Sequence, residues 1–186
     1  MPITENTSDE ELVRQFADEA NRESIFRIIM KRYGAKLYAH VRSFFITHEE
    51  ADDIVQNTFV KAWRALPKFR AESSLYTWLY RIATNETLTF VRNRKNRNTI
   101  SLDDDENVYQ IPSVETGTQR SGDYIAAKLR AAIEQLPEKQ RIVFNMKYFE
   151  EMKYEEMSEI LNTSVGALKA SYHFAAKKIE NYLEND

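Results

Sequence analysis

Gly166, Ala167, Lys169, Ala170, Ser171, His173 and Lys177 share the outward side of a helical period that begins at Val165. Short side chains mixed with ammonium, hydroxyl and imidazole groups suit contact with base-pair edges and phosphates. The inward side repeats Val165, Leu168, Tyr172, Ala175 or Ala176, Ile179 and Leu183, which is helical spacing. Just upstream, Met157, Ile160 and Leu161 mark one apolar face of a helix that opens at Tyr154, and Ser158 is small enough to let two helices touch. Asn162 stands where that helix must stop, and asparagine tolerates the left-handed backbone such stops use. Ser164 can cap the next helix by accepting an orphan backbone N–H. The pattern predicts a helix-turn-helix whose second helix is the recognition helix. An ordinary helical hairpin has the same apolar period. The unusual feature is that the outward side holds no arginine, its ammonium groups being Lys169, Lys177 and Lys178.

The rest of the chain predicts more helices. Four glycines and four prolines in 186 residues are few, so the expected class is all-α. A helix is expected over Asp9 to Asn21, with Ser8 as N-cap and Glu11 at capping-box spacing. A second is expected over Ser24 to Phe45. A third follows a Thr47/Glu50 capping box and runs to Leu66, where Pro67 ends it. A fourth, capped by Ser73 and Ser74, runs from Leu75 to about Asn96 and turns basic at its end. Between Asn98 and Gly122 the periodicity vanishes around the acidic run Asp103 to Glu106, and helices resume over 123–135 and 138–150. A stretch of that length without elements argues for two small helical domains joined by a flexible acidic linker. The expected boundaries are 1–97, 98–122 and 123–186.

Charge is unevenly spread. Residues 1–100 carry 16 Lys+Arg against 13 Asp+Glu, residues 101–122 carry 1 against 5, and residues 123–186 carry 9 against 11. A protein that holds DNA unaided normally carries a strongly basic footprint. If this chain binds DNA, another component supplies part of the affinity. The chain has no cysteine, and His40, His48 and His173 have no ligand spacing, so no metal or other cofactor is expected. The N-terminal residues lack an apolar signal core and no apolar run would span a bilayer, so a cytoplasmic protein without membrane insertion is expected. Neither a glycine-rich phosphate loop nor a nucleophile–base constellation is present, which argues against an enzyme.

Three blocks stand in a fixed order: DDIVQNTFVKAWRAL at 52–66, FRAESSLYTWLYRIA at 69–83 and LPEKQRIVF at 136–144, followed by the helix-turn-helix. In this combination, over about Phe26 to Ile179, the chain resembles the group 4 (extracytoplasmic function) sigma factors of bacterial RNA polymerase. The resemblance implies a subunit that binds core polymerase, recognises −35 duplex, and melts and captures −10 DNA. A stand-alone helix-turn-helix regulator, and a degenerate sigma that acts through another protein, are the alternatives.

The resemblance also assigns residues. Asp53, Gln56, Phe59, Val60 and Trp63 share one helical face and would dock on the β′ coiled coil, the aromatics as anchors and the polar groups pairing with a partner helix. Phe59 and Trp63 equally suit the domain core. For the −10 strand, Phe69, Tyr76 and Trp78 could stack on bases, Lys68, Arg70 and Arg81 follow the backbone, and Ser73, Ser74, Thr77 and Asn85 read base edges. Trp78 could instead pack on Leu75 and Ile82. Arg92, Arg94, Lys95 and Arg97 would meet phosphates, or form a solvated helix end. The −35 contacts would come from Ser164, Gly166, Ala167, Lys169, Ala170, Ser171, His173, Lys177 and Lys178. The family pattern SxGTVKSRLxRAR is SVGALKASYHFAA here at 164–176, so Ser171, Phe174 and Ala176 stand where arginines are usual. The usual loop glycine is Ala71. Phe174 would face a protein partner or be buried against Tyr148 or Phe149. The acidic linker would imitate RNA charge in the polymerase exit channel, or be a solvated spacer. Further partners implied are the β flap and an anti-sigma factor or other regulatory protein.

Overall fold

In the computed structural model of the chain, the described residues are 4, 6–100 and 120–184, without the side chains of 95–100, 120, 121 and 123. The acidic run Asp103 to Glu106 lies outside them, as do the side chains of Lys95 and Arg97. The chain divides into two compact units, residues 1–93 with 159–162, and residues 94–158 with 163–186. Every regular element among the described residues is a helix.

The first unit opens with α1 (Asp9–Gln15), where the Ser8 hydroxyl accepts the Glu11 N–H at 3.3 Å. The helix stops six residues earlier than the apolar period suggests. Asp18 is the reason: its carboxylate accepts the Ala20 N–H at 3.1 Å and starts a separate 3-10 turn over Glu19–Asn21. Next comes α2 (Arg22–Arg42), which binds the start of the chain. Arg32 pairs with the Asp9 carboxylate and donates to the Thr7 carbonyl at 2.6 Å, while the Tyr33 hydroxyl donates to Asp9. Burial, with the Asp9 carboxylate adding to it, pushes the Tyr33 hydroxyl well above the ordinary range.

Phe45, at φ 58°, reverses the chain into α3 (His48–Ala65). Here the capping box forms in both directions, Glu50 N–H to Thr47 Oγ1 at 3.3 Å and Thr47 N–H to Glu50 Oε2 at 3.1 Å. Leu66–Lys68 is a 3-10 turn around Pro67. The last helix is α4 (Leu75–Ile100), whose Ser74 hydroxyl accepts the Thr77 N–H at 3.0 Å. Ile25, Ile29 and Leu37 of α2, Ile54 and Ala62 of α3, and Leu75, Leu79 and Ala83 of α4 are buried. At one side Phe26 meets Trp63 edge-on at 5.1 Å and Phe59 at 6.0 Å, and Phe16 meets Trp63 at 5.2 Å. Such edge-to-face packing adds about 0.5–1.5 kcal/mol per pair beyond area burial.

The second unit holds α5 (Arg120–Glu134), α6 (Glu138–Tyr148), the start of α7 (Tyr154–Leu161), whose residues from Glu159 on fall with the first unit, and α8 (Val165–Glu184). Helix α8 packs on α6 and α5. Its buried residues are Leu168, Ala175 and Ile179, which decides for Ala175 over Ala176 as the inward alanine. Phe144 lies between Tyr172 at 5.7 Å and Tyr148 at 5.1 Å, both near parallel. Lys128 donates to the Leu183 carbonyl at 3.1 Å, placing a cation on the negative end of α8. No helix of the described residues is long and apolar enough to cross a membrane.

Candidate functional site

Three surfaces carry the residues singled out by sequence. The first is α8. Asn162 sits at φ 48°, a left-handed residue directly after the end of α7. The Ser164 hydroxyl accepts the Ala167 N–H at 3.3 Å and closes the first turn. With Leu168, Ala175 and Ile179 inward, Ser164, Gly166, Ala167, Lys169, Ala170, His173, Lys177 and Lys178 are exposed, and Ser171 is half-buried. An added Cβ at Gly166 would meet nothing within 4 Å, so the surface there is open to close approach. Phe174 is 56% exposed, with its ring edge toward His173, so it is not a core residue against Tyr148 or Phe149. Lys178 is tied back to α6, its ammonium donating to Gln140 Oε1 at 3.0 Å.

Beside α8 stands a group that the linear pattern does not mark. The Lys147 ammonium lies 5.1 Å from the centroid of the Tyr154 ring, and the Lys169 ammonium 5.7 Å from the same centroid. Lys147 also donates to the Met152 carbonyl at 3.1 Å. The three side chains come from α6, α7 and α8, so only tertiary structure brings them together.

The second surface is the loop before α4. Ala71 is in the left-handed region at φ 54°, which suits the glycine usual in the family better than alanine. Lys68, Arg70, Ser74 and Asn85 are exposed, and Ser73 and Arg81 half-buried. The ring of Phe69 tilts against Trp78 at 5.1 Å, and both are half-buried. Trp78 therefore packs on the loop that Phe69 opens. Tyr76 is half-buried between Tyr80 at 4.4 Å and Tyr33 at 6.3 Å, with the Lys36 ammonium 5.8 Å from its ring. Lys36, on the neighbouring helix, was not visible as a site residue in the sequence. Thr77 has to be withdrawn as a base-reading group: it is 3% exposed, and it accepts from the Ser74 hydroxyl at 2.9 Å inside the helix cap. Further along α4, Arg92 is exposed and Arg94 half-buried.

The third surface is α3. Asp53, Gln56 and Val60 are exposed at spacings of three and four, so one polar-edged stripe lies open to a partner. Phe59 is not part of it. At 5% exposure, with its ring on Phe26, it belongs to the core and cannot be an accessible anchor. Trp63 is half-buried, held by Phe16 and Phe26 while one edge reaches the surface. The apolar stripe of α3 is wide, and Phe59 and Val60 fall on either side of its border. Lys61 pairs with Glu86 and links α3 to α4 below the stripe. Among the described residues no three His, Asp or Glu side chains stand together as metal ligands.

Residues 29–97 match the sequence family described as Sigma-70 region 2, and residues 126–179 match Sigma-70, region 4. The chain is 30% identical over 185 residues to the RNA polymerase sigma-H factor of Pseudomonas aeruginosa, covering 95% of this chain and 94% of the relative. It is 26% identical over 189 residues to the ECF RNA polymerase sigma-E factor of Haemophilus influenzae, covering 98% of each. A solved structure described as CnrH in complex with the cytosolic domain of CnrY superposes with a TM-score of 0.68 at 25% identity, over 97% of this chain and 99% of that one.

Proposed function

The chain belongs to the sigma-70 family, among its extracytoplasmic function members, and from that premise we propose how its surfaces divide the work of promoter-directed transcription initiation. It is a group 4 factor acting in the cytoplasm, where polymerase and promoter DNA are. The stripe Asp53, Gln56 and Val60 docks on core polymerase at the β′ coiled coil, with the exposed edge of Trp63 completing the contact. The carboxylate and amide pair with arginines or amides of the partner helix, while Val60 supplies apolar area at the centre.

Melting and capture of the −10 strand fall to the loop before α4 and the first turns of that helix. Unpaired bases need π-faces, cations along the backbone and polar groups at base edges. Phe69 and Tyr76 supply the first, Lys68, Arg70 and Arg81 the second, and Ser73, Ser74 and Asn85 the third. Arg92 and Arg94 continue the cationic line toward phosphates. Helix α8 reads the −35 duplex. Its alanines suit thymine methyl groups, and Lys169 suits guanine or phosphate oxygens. A regulatory protein is expected to cover part of these surfaces, by analogy with the CnrH relative, which is described in complex with another protein's cytosolic domain.

One observation carries the reading: the first matched region falls almost wholly on the first compact unit and the second almost wholly on the second, where α8 turns its apolar residues inward and its short side chains and lysines out. The test is transcription in vitro with purified core polymerase and a promoter library. The chain should direct initiation to a defined subset. Core binding without initiation at any member would refute the reading.

A further inference from the structure

We propose that His40 is a positioning residue for capture of the −10 strand. Its buried hydrogen bond to Thr84 fixes the register of α4 on α2, and with it the placement of Arg81 and Asn85. The inference rests on the proposed −10 reading and adds to it a side chain that touches no DNA.

His40 has no accessible surface, whereas His48 and His173 are exposed. Its ring meets Phe44 edge-on at 5.4 Å and lies 5.0 Å from the Tyr80 ring, wholly inside the first unit. Nε2 of His40 is 2.9 Å from Thr84 Oγ1. The Thr84 hydroxyl donates to the Tyr80 carbonyl at 2.7 Å, so Oγ1 accepts from the imidazole and Nε2 carries the proton. One turn back, the Tyr80 hydroxyl donates to the Lys36 carbonyl at 3.3 Å. Two directional ties therefore join α2 to α4.

The other contacts along α4 are weaker guides. Leu79, Ala83, Leu88 and Val91 are buried aliphatic groups, and such burial has no preferred direction. Ridges on a helix repeat every turn, so an apolar interface keeps much of its burial when one helix slips by about 5.4 Å. Lys61 and Glu86 also join α3 to α4, but at the surface, where solvent screens the pair. A buried polar pair chooses between registers, because a slipped one leaves the Nε2–H without its acceptor. The tied residues adjoin the presenting ones: Tyr80 precedes Arg81, and Thr84 precedes Asn85. Arg81 and Asn85 thus share one side of α4, about 100° round from the tied side. Since α3 packs on α2 and carries the polymerase-docking stripe, the register of α4 on α2 sets where the −10 residues stand relative to polymerase.

The test uses holoenzyme, assembled from core polymerase and the full chain, on a promoter fragment that the wild type opens. Opening is followed by the fluorescence of an aminopurine base in the −10 strand, with core affinity and thermal melts measured beside it. His40→Leu removes the donor but orphans nothing at Thr84, whose hydroxyl keeps the Tyr80 carbonyl. Its core affinity should match wild type and its midpoint should stay within a few degrees. The extent of opening should fall by about threefold to tenfold, the net worth of one hydrogen bond in a two-register equilibrium. His40→Gln, with an amide N–H in place of Nε2–H, should recover most of it. A merely structural role would move midpoint, core affinity and opening together and give Gln no advantage over Leu; that result overturns the proposal. If His40→Leu melts early, Thr84→Ala is read against Thr84→Ser, which keeps the acceptor, at a temperature where both are folded. Ser should open like wild type and Ala should not, and equal opening overturns the proposal. A wild type that opens promoters, with a folded His40→Leu that opens them equally, overturns the positioning role alone. A wild type that opens no promoter overturns the −10 reading and this role with it.

Discussion

Adjacent residues on α3 should fail for different reasons when truncated. Phe59 is 5% exposed and packs on Phe26, while Val60 is 48% exposed. Burying a phenylalanine removes about 150–200 Å² from water, worth about 4–5 kcal/mol at 25 cal/mol per Å². Its truncation in a packed core costs about 3–5 kcal/mol, which agrees. A domain near 90 residues has only about 5–15 kcal/mol to lose, and each kcal/mol moves its midpoint by about 4–8 °C. Phe59→Ala should therefore lower the melting midpoint of the first unit by more than 10 °C. Asp53→Ala with Gln56→Ala touches exposed polar groups only, so the midpoint should stay within about 2 °C while core binding weakens by tenfold or more. The assay is a thermal melt paired with fluorescence titration of core polymerase at a temperature where every variant is folded. At that temperature Phe59→Ala should bind core nearly as well as wild type. Two results would refute the reasoning: a folded Phe59→Ala that has lost core affinity, or an Asp53→Ala, Gln56→Ala chain with wild-type affinity.

Ala71→Gly should raise the melting midpoint of the first unit by a few degrees, because a left-handed alanine at φ 54° costs about 1–2 kcal/mol and the added glycine entropy returns only part of it; a lower midpoint contradicts the strain. Ser164→Ala removes the acceptor for the Ala167 N–H and should destabilise the second unit by about 1 kcal/mol, toward the low end given the 3.3 Å distance, visible as a lower midpoint. Tyr33 has its folded pKa raised, so its contribution is complete below the unfolded value near 10 and is lost as pH rises above it. Urea melts at pH 8 to 11 should show the first unit weakening at the alkaline end, and Tyr33→Phe should flatten that dependence; an unchanged slope would remove Tyr33 as its source.

Local chemistry was readable wherever a side chain answers its own backbone. The Thr47/Glu50 box, the Ser164 cap and the Asn162 stop are short-range devices, and each stands where its residue types place it. The early end of α1 was hidden because Asp18 acts as a cap without any proline or glycine beside it. Periodicity located the apolar face of α3 but not its border, since one residue is a 100° step and Phe59 and Val60 straddle the edge. Thr77 looked like a base-reading hydroxyl because its type is polar, yet helix capping by Ser74 turns it inward. Lys36 over Tyr76, and Lys147 with Lys169 at Tyr154, join residues far apart in sequence, and no linear spacing encodes them.

The scarcity of arginine on α8 follows from how such a subunit would meet DNA. Residues 123–186 carry 9 cations against 11 anions, so duplex binding by this unit alone should be weak at physiological salt. Tethering changes the requirement. Once polymerase and the −10 strand hold the promoter, α8 faces its duplex at an effective concentration of about 1 mM. A unit with a dissociation constant near 0.1 mM, typical of non-specific binding, would then be about nine-tenths occupied. Stronger cationic attraction would add little occupancy on the promoter while raising retention on every other duplex. A recognition helix of alanine, glycine and a few lysines keeps a larger share of its free energy in base-edge contacts. Those contacts differ between promoters, and non-specific phosphate attraction does not.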